Sequence, residues 1–304
     1  MDGSCSQYLQ LKQLSDIRYR IRYYLGPLYY KDKVYVDNLV LINYIEPKFG
    51  MASWENFHTH ALKIILKKYG FINKKFIYKF GDIQEIVDRY ALVKNRFKES
   101  YGKSVILRIF DYERHWNNFY NIKIYFPFEN KLDKIFWRGS TTGELNRSGN
   151  RFTLVEKYFN KYNDIDIGFS NICQGKNNYK KYIKISASLK EFLKNKYLLS
   201  VEGNDKDSGL NWKLASNSLV LMAKPRAFSW LMEDMLIPNY HYVLLKDDFS
   251  DLREKLDWCN NHQPEVKQII KNANEYMEMF CNIKQEEYIE KEVLRLYFEK
   301  IKGR

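Results

Sequence analysis

Hydrophobic and polar positions along the chain predict a mixed α/β fold. Residues 55–69 carry apolar side chains at a helix-compatible spacing that ends at Gly70, and the apolar run 76–80 is typical of a buried strand. A second such strand is predicted at 105–110, and the stretch 85–98 between the two strands has helical character. Alternation of strand, helix and strand indicates a parallel sheet.

The alternation continues in the second half of the chain and predicts a further α/β unit. The predicted strands are 134–137, 165–168, 197–201, 218–222 and 241–245. The predicted helices are 152–162, 189–194, 210–216, 252–259, 264–280 and 286–301. Loops at the carboxyl ends of such strands are where sheets of this kind bind ligands.

A length of 304 residues suits two domains of roughly 130 to 150 residues each. The segment 121–133 combines Pro127 with several charges and is interpreted as the linker. We therefore predict an N-terminal domain at 1–130, a C-terminal domain at 131–280 and a bracing helix at 281–304.

The charge of the chain favours a polyanionic partner of some kind. Its 50 Lys and Arg residues against 37 Asp and Glu give a net charge of +13. Nucleic acid, an anionic membrane face and phosphorylated glycolipids are all polyanionic partners of this kind. Because the basic residues are dispersed along the chain, charge alone does not choose among them. The four cysteines lack a paired spacing and are expected to be free thiols, and no secretory signal or membrane-spanning run is recognised. We expect a cytoplasmic protein with peripheral contact at the inner face of the membrane.

A first group of candidate binding residues lies at 136–143, where a predicted strand ends. Glycines let backbone N–H groups approach a phosphate, hydroxyls add donors, and an arginine offers a forked cation, so the residue types suit a pyrophosphate. A polar surface turn is the equally weighted alternative. The candidates here are Arg138, Gly139, Ser140, Thr141, Arg147 and Arg151.

A second group lies at 201–214, where a strand enters a loop rich in Gly, Asn and Asp and then a helix with free N–H groups. Ser208 is predicted to cap that helix, and Asn211 and Lys213 to reach a diphosphate or ribose. An ordinary strand-to-helix connection is the alternative. The candidates here are Glu202, Gly203, Asn204, Ser208, Asn211 and Lys213.

These two segments, followed by 216–221 and 238–243, resemble glycosyltransferase family 90. That family includes bacterial lipopolysaccharide-core transferases, fungal capsule-associated xylosyltransferases and animal protein O-glucosyltransferases. The motifs lie in order across residues 76–260, and the bacterial branch is the more similar one. The resemblance implies a GT-B-like α/β fold, in which two facing Rossmann-like domains enclose a cleft and the C-terminal domain binds the nucleotide-sugar.

The resemblance also implies a UDP-sugar donor and inversion at the anomeric carbon. Ser140 and Arg151 match the serine and arginine that contact the donor diphosphate in the family, and Lys213 matches a lysine. Animal members have an arginine where this chain has Asn211, and either Arg138 or Arg147 is a candidate to replace it.

Asp82 is the candidate catalytic base, since inverting transfer needs a group that takes the proton of the acceptor hydroxyl. It follows the apolar run 76–80, as the catalytic aspartate does in the family, although a helix N-cap is the alternative. Arg114 and His115 are candidate contacts for the acceptor or for phosphate.

No metal and no cofactor is expected to be required. The pair Asp164 and Asp166 fits a short metal-binding pattern, but it begins a strand. The sequence thus predicts transfer of glucose, galactose or xylose from a UDP-sugar to a saccharide or glycolipid, such as lipopolysaccharide core or capsule, without nucleic acid as a partner. A basic, aromatic-rich nucleic-acid-binding protein and an inactive transferase-fold scaffold are the alternatives.

Overall fold

A computed structural model of the protein describes residues 16–45, 54–97, 102–108, 119, 122 and 126–304. The helices of these residues are α1 (Ile17–Leu25), α2 (Trp54–Lys68), α3 (Arg151–Tyr158), α4 (Leu189–Leu193), α5 (Leu210–Leu214), α6 (Leu252–Asn261), α7 (Gln263–Glu278) and α8 (Ile283–Lys300). Short 3-10 helices cover Gly26–Tyr30, Ile42–Tyr44, Phe128–Asn130, Asn177–Tyr182 and Glu233–Met235. The strands are β1 (Val34–Val36), β2 (Leu92–Val93), β3 (Arg96–Phe97), β4 (Val105–Ile106), β5 (Leu132–Ser140), β6 (Ile165–Asn171), β7 (Asn195–Leu199), β8 (Leu219–Met222), β9 (Ala227–Phe228), β10 (Val243–Leu244) and β11 (Ile301–Gly303). None of the helices just named is both long and apolar enough to cross a bilayer.

The chain forms two compact units, and each unites segments that are far apart in sequence. The first unit comprises Met1–Arg114, Arg226–Glu233 and Asn282–Arg304. The second unit comprises His115–Pro225 and Asp234–Cys281.

A five-stranded parallel sheet forms the centre of the second unit, with strand order β10, β8, β7, β5, β6. Its inner strand β8 is apolar throughout, as expected when both faces of a parallel sheet are covered, and all four of its residues are buried. The predicted α/β character is therefore confirmed, and so are the strands and helices predicted in this half, with shifted ends.

Side chains at the helix starts of the second unit satisfy N–H groups that would otherwise lack partners. Asn150 precedes α3 and accepts from the Thr153 N–H at 2.8 Å. Ser188 precedes α4 and forms a reciprocal capping box with Glu191. Such caps stabilise a helix by about 1 kcal/mol each, and they define where α3 and α4 begin.

An aromatic layer holds α3 on the sheet. Trp137 of β5 packs edge-on against Phe169 of β6 with ring centroids 5.8 Å apart, and Phe152 of α3 lies 5.6 Å from Phe169. All three side chains are buried. Because these rings fix the position of α3, its first residue, Arg151, lies beside the end of β5.

The first unit contains three two-stranded pairings in its described residues: β2 with β4 and β1 with β11, both parallel, and β3 with β9, antiparallel. Arg20 of α1 is fully buried and donates to both carboxylate oxygens of Glu286 in α8, at 2.5 and 2.7 Å. A forked guanidinium matches a carboxylate in this geometry, so the pair links α1 to α8 across 266 positions of sequence.

The helix predicted at 85–98 is wrong, because the described part of this stretch contains β2 and β3 instead. Buried polar side chains explain the difference. Asn95 accepts from the Ile83 N–H and donates to the Ile83 carbonyl, and Arg96 donates to the carbonyls of Tyr23, Tyr24 and Ser104. These non-local hydrogen bonds stabilise an extended backbone that local periodicity does not reveal.

Two predicted strands of the first unit are shorter than expected. The run 76–80 forms only isolated bridges, from Phe76 to Val40 and from Tyr78 to Leu92. The strand predicted at 105–110 contains β4, while residues 109 and 110 lie outside the described ranges.

His241, just before β10, makes the stability of the protein depend on pH. Burial lowers the pKa of His241 to about 4, whereas an unfolded histidine titrates near about 6.5. The unfolded state therefore binds more protons between these values. The contribution of neutral His241 to the free energy of unfolding is fully present above about pH 6.5, and the free energy of unfolding falls by up to roughly 3 kcal/mol towards pH 4.

We expect His241→Asn to flatten this dependence in urea unfolding measured from neutral to acidic pH. The His241 Nδ1 atom accepts from the Ile237 N–H at 2.9 Å, and an asparagine oxygen can accept the same hydrogen bond without titrating. His60→Asn, at an exposed position of α2, is the matched control and should leave the slope as it is. An unchanged slope in His241→Asn would contradict this assignment.

Candidate functional site

The two loops singled out in the sequence follow β5 and β7, which are neighbours in the parallel sheet, so the loops meet at its carboxyl edge. The Gly143 N–H donates to Asn204 Oδ1 at 2.9 Å. Gly143 has φ of +97°, and a Cβ atom there would lie 2.9 Å from the Gly203 carbonyl oxygen. Only glycine fits both the backbone conformation and the close approach of the loops.

Arg151 and Arg147 tie the loops together. Arg151 donates from Nη1 to the Ser140 carbonyl at 3.0 Å and to Thr142 Oγ1 at 2.7 Å, and from Nη2 to the Val201 carbonyl at 3.1 Å. Arg147 donates to the carbonyls of Gly203 and Asn204 at 3.0 and 2.9 Å. These acceptors are neutral, so these hydrogen bonds do not cancel the positive charge of either guanidinium.

Ser140 and Thr141 continue from β5 towards the end of β6. The Ser140 hydroxyl donates to Asn171 Oδ1 at 2.6 Å, next to a shift in the pairing register between Gly139 and Ser140. Thr141 is buried, and its hydroxyl accepts from the Cys173 N–H at 2.8 Å. Ser140 is thus a half-buried hydroxyl at the strand end, while Thr141 holds the next loop in place.

Gly203 and Gly139 allow the side chain of Arg151 to lie against the backbone. A Cβ atom on Gly203 would lie 2.5 Å from Thr142 Oγ1 and 3.0 Å from Arg151 Nη2. A Cβ atom on Gly139 would lie 2.5 Å from the Trp137 ring and 3.3 Å from Arg151 Nη1. Both glycines therefore make room for the guanidinium.

Gly203→Ala is expected to displace Arg151 and to lower the stability of the second unit by about 1 to 3 kcal/mol through overpacking. If the site binds UDP, UDP affinity should fall as well. Thermal unfolding with and without UDP measures both effects. Gly175→Ala is the control: φ is +69° there but no atom lies within 4 Å of the added carbon, so only a cost of about 1 kcal/mol for the left-handed backbone is expected and UDP affinity should not change. Equal loss of affinity in both variants would argue against close packing at Gly203.

Lys213 lies inside the second unit, in an ion pair. Its ammonium donates to Asp207 Oδ2 at 2.5 Å and to the Leu199 carbonyl at 2.9 Å, and the residue is 3% exposed. Burial lowers the pKa of Lys213 and would raise that of Asp207, but the lysine and the Gly209 N–H outweigh burial and lower the pKa of Asp207 overall. The pair therefore holds the 200–209 loop against the end of β7.

The remaining candidates of the second loop differ in exposure. Ser208 is exposed and does not cap α5, so that prediction is wrong: Gly209 is the N-cap residue, and its N–H donates to Asp207 Oδ1 at 2.9 Å. Glu202 is half-buried and its carbonyl accepts from Arg151 Nε. Asn211 is 3% exposed, and neither atom of its amide has a hydrogen-bond partner among the described residues.

Arg138 contacts a different set of residues from the two loops. Its guanidinium donates to Asp166 Oδ1 at 2.9 Å and to the Ile185 carbonyl at 3.3 Å. Neighbouring residues of a strand point to opposite faces of the sheet, so Arg138 cannot share the face of Trp137 and Gly139. The two loops therefore gather Arg147 and Arg151, and Arg138 lies by the edge strand β6.

Asp82 belongs to the first unit, where its Oδ1 accepts from the Lys94 ammonium at 2.5 Å. The Asp82 side chain is 39% exposed, and Lys94 is nearly buried. Among the described residues no helix begins directly after Asp82, and the next N–H, of Ile83, donates to Asn95, so the N-cap alternative is wrong. Arg114 and His115 lie outside the described residues.

Two residues that organise the site, Asp207 and Asn171, are not among the candidates predicted from the sequence. Asp207 accepts from Ser200, Gly209 and Lys213, and Asn171 accepts from Ser140. The spacing of Asp207 from Lys213, six residues across a loop and a helix start, was the available signal for an ion pair.

Both aspartates of the short metal-binding pattern are in ion pairs. Asp164 pairs with Arg253 at 2.6 Å, and Asp166 with Arg138 and Lys184 at 2.9 and 2.6 Å. Across the part of the chain that the structure describes, no group of three or more His, Cys, Asp or Glu side chains is arranged to hold a metal ion.

Comparison with known proteins finds that the sequence is similar to sugar transferases. Residues 97–297 match glycosyl transferase family 90. The chain is 32% identical over 241 residues to the O-glucosyltransferase LpsA of Dichelobacter nodosus, a match that covers 79% of this chain and 72% of that protein. It is also 29% identical over 143 residues to Protein O-glucosyltransferase 2 of Danio rerio, which covers 46% of this chain and 27% of that protein.

Proposed function

Since the chain belongs to glycosyl transferase family 90 and is a glycosyltransferase, we propose that it moves a sugar from a UDP-sugar to a saccharide or glycolipid acceptor with inversion. The two relatives named above are O-glucosyltransferases, which favours glucose over galactose or xylose. The GT-B arrangement is part of this proposal: the first unit supplies the catalytic base, and the second unit binds the donor.

The observation that carries the proposal is the pair of loops joined by Arg147 and Arg151 at the carboxyl edge of the parallel sheet. Arg151 is the first residue of α3, where the helix already carries a partial positive charge. A cation at this end is unfavourable in isolation, but it favours an anionic ligand. A nucleotide diphosphate is the anion that a sugar transferase releases.

The donor diphosphate is proposed to lie between Ser140, Arg147 and Arg151. The guanidiniums and the N–H groups of the α3 start would stabilise the charge that develops on UDP as the bond from the anomeric carbon to phosphate breaks. Arg147, rather than Arg138, is the better candidate to replace the arginine absent at Asn211, because it already reaches Gly203 and Asn204. Lys213 would act indirectly, by positioning the loop through Asp207.

Asp82 is proposed as the base. As the acceptor oxygen forms its bond to the anomeric carbon on the face opposite to the departing UDP, the acceptor proton passes to the Asp82 carboxylate. Lys94 holds one oxygen of that carboxylate in place.

Metal-independent transfer is proposed because arginines and a helix start can offset diphosphate charge, while Asp164 and Asp166 are already in ion pairs. The acceptor is proposed to be a saccharide of lipopolysaccharide core or capsule, assembled at the inner face of the cytoplasmic membrane. The net charge of +13 favours contact with anionic lipid there.

A panel of UDP-sugars tests the proposal by thermal shift and by slow donor hydrolysis with and without EDTA. We expect stabilisation by UDP, preferential hydrolysis of UDP-glucose, and rates that EDTA does not change. A protein that no UDP-sugar stabilises or that hydrolyses none of them would contradict the donor assignment, and loss of turnover in EDTA would contradict metal independence.

A further inference from the structure

A strongly basic segment of the second unit has no role in the proposed donor site. Residues 172–190 contain five lysines and no acidic residue. The segment includes the 3-10 helix Asn177–Tyr182 and then runs beside the edge strand β6, where Ile183 bridges to Phe169. We call residues 176–186 the basic edge.

The basic edge combines exposed cations with exposed apolar side chains. Ile185 is 90% exposed and Ile183 is 40% exposed. Lys180 and Lys181 are exposed, and neither forms an ion pair with a described residue. Exposed isoleucines beside lysines without ion pairs match a surface where lipid headgroups meet hydrocarbon.

The basic edge is held in place by the fold. The Ile185 carbonyl accepts from Arg138 Nε at 3.3 Å, and the Lys184 N–H donates to the Phe169 carbonyl at 2.8 Å. Lys184 also pairs with Asp166, and its aliphatic chain crosses Gly168, where a Cβ atom would lie 2.8 Å from Lys184 Cγ. Ile185 is therefore presented by a backbone with defined hydrogen bonds.

The acidic side chains near the basic edge are already engaged. Asp166 lies between Arg138 and Lys184, and Glu156 accepts from the Tyr179 hydroxyl at 2.9 Å. The basic edge therefore has a net positive charge.

We propose that the basic edge docks on an anionic lipid bilayer, with Ile183 and Ile185 entering the interface and Lys180 and Lys181 contacting headgroups. A soluble phosphorylated sugar would use the lysines but not the isoleucines. A nucleic acid would stack its bases on aromatic rings, but Tyr182 packs on Phe159 with centroids 5.3 Å apart, and Tyr179 packs on Phe152 at 4.5 Å. The lipid surface uses both the charges and the exposed apolar groups.

Docking in this way would bring the bilayer beside the proposed donor loops. The Ser186 hydroxyl lies 3.5 Å from the Ser170 carbonyl near the end of β6, and the next residue, Asn171, accepts from Ser140. Such docking would give the protein access to a lipid-linked acceptor, and this consequence rests on the proposed function. Lipid binding by the basic edge does not rest on the proposed function.

The experiment is vesicle flotation at low salt with phosphatidylcholine vesicles that contain or lack phosphatidylglycerol. We expect binding of the full-length protein to the anionic vesicles only, and a loss of about tenfold or more in the partition coefficient for Lys180→Glu/Lys181→Glu/Ile185→Ser. The matched control is Lys63→Glu/Lys67→Glu/Ile64→Ser, which makes the same changes at exposed positions of α2 and should bind within about twofold of the parent.

Three outcomes would overturn docking by the basic edge: no binding of the parent protein, full binding of the basic-edge variant, or an equal loss in the control variant. Displacement by inorganic phosphate at constant ionic strength would instead indicate a phosphate site.

Hydrolysis of UDP-sugar without vesicles should be the same in the parent protein and in the basic-edge variant. If the parent hydrolyses none but still floats with anionic vesicles, the proposed function fails and the docking surface remains.

Discussion

Asp82→Asn is expected to lower the rate of sugar transfer by roughly two to four orders of magnitude, the usual effect of removing a general base. Asparagine keeps the size of the side chain and can still accept from Lys94, but it cannot take a proton from the acceptor hydroxyl. UDP affinity should be retained, because Asp82 and the proposed donor loops belong to different units. Single-turnover transfer and UDP binding by calorimetry measure the two quantities separately.

Glu85→Gln is the matched control for this prediction. Glu85 lies three residues further along the same segment and pairs with Lys79, as Asp82 pairs with Lys94. Loss of an exposed ion pair costs little, so turnover should be unchanged. Normal turnover in Asp82→Asn would reject Asp82 as the base, and equal losses in both variants would indicate that the segment matters for structure alone.

Lys213→Met is expected to destabilise the second unit by about 3 to 5 kcal/mol, since it leaves the Asp207 carboxylate buried without its cation. Burial disfavours the charged form of Asp207, and the Lys213 ammonium together with the Gly209 N–H outweighs that effect. Donor affinity should fall because the 200–209 loop loses its attachment to β7. Chemical denaturation, followed by UDP titration under conditions where the variant is folded, gives both values.

Adding Asp207→Asn to Lys213→Met should restore a large part of the lost stability. The double variant contains no unpaired buried charge, and asparagine can still accept from the Gly209 N–H. Lys271→Met is the control, because that lysine is exposed on α7 and its replacement should change stability by less than about 1 kcal/mol. A Lys213→Met protein of unchanged stability with weakened UDP binding would mean that the lysine faces the donor directly.

Sequence periodicity was sufficient for the second unit because the strands of its sheet contain short buried apolar stretches. Runs such as β8 are apolar throughout, and the helices between them start at caps that are visible in the sequence, such as Ser188 with Glu191. Periodicity failed at 85–98 because Asn95 and Arg96 find their partners elsewhere in the first unit.

The same distinction applies to the candidate site. Residue types alone grouped Arg138 with Arg151, but alternation along β5 turns Arg138 towards Asp166. The spacing of Asp207 and Lys213 was readable, yet only burial shows that Lys213 is an internal partner of Asp207.

The α/β class, the apolar strands and helices of the second unit, and the glycine-rich loops at two strand ends could be predicted from the sequence, because these features depend on neighbours within a few positions. The fold was needed to show which loops meet, how Arg147 and Arg151 join them, and where Arg138 and Lys213 point. Those arrangements depend on strand order and burial, which connect residues that are dozens of positions apart. The segment from Trp137 to Arg151 therefore supplies the functional groups of the proposed donor site, and the hydrogen-bond partners of its arginines determine where those groups lie.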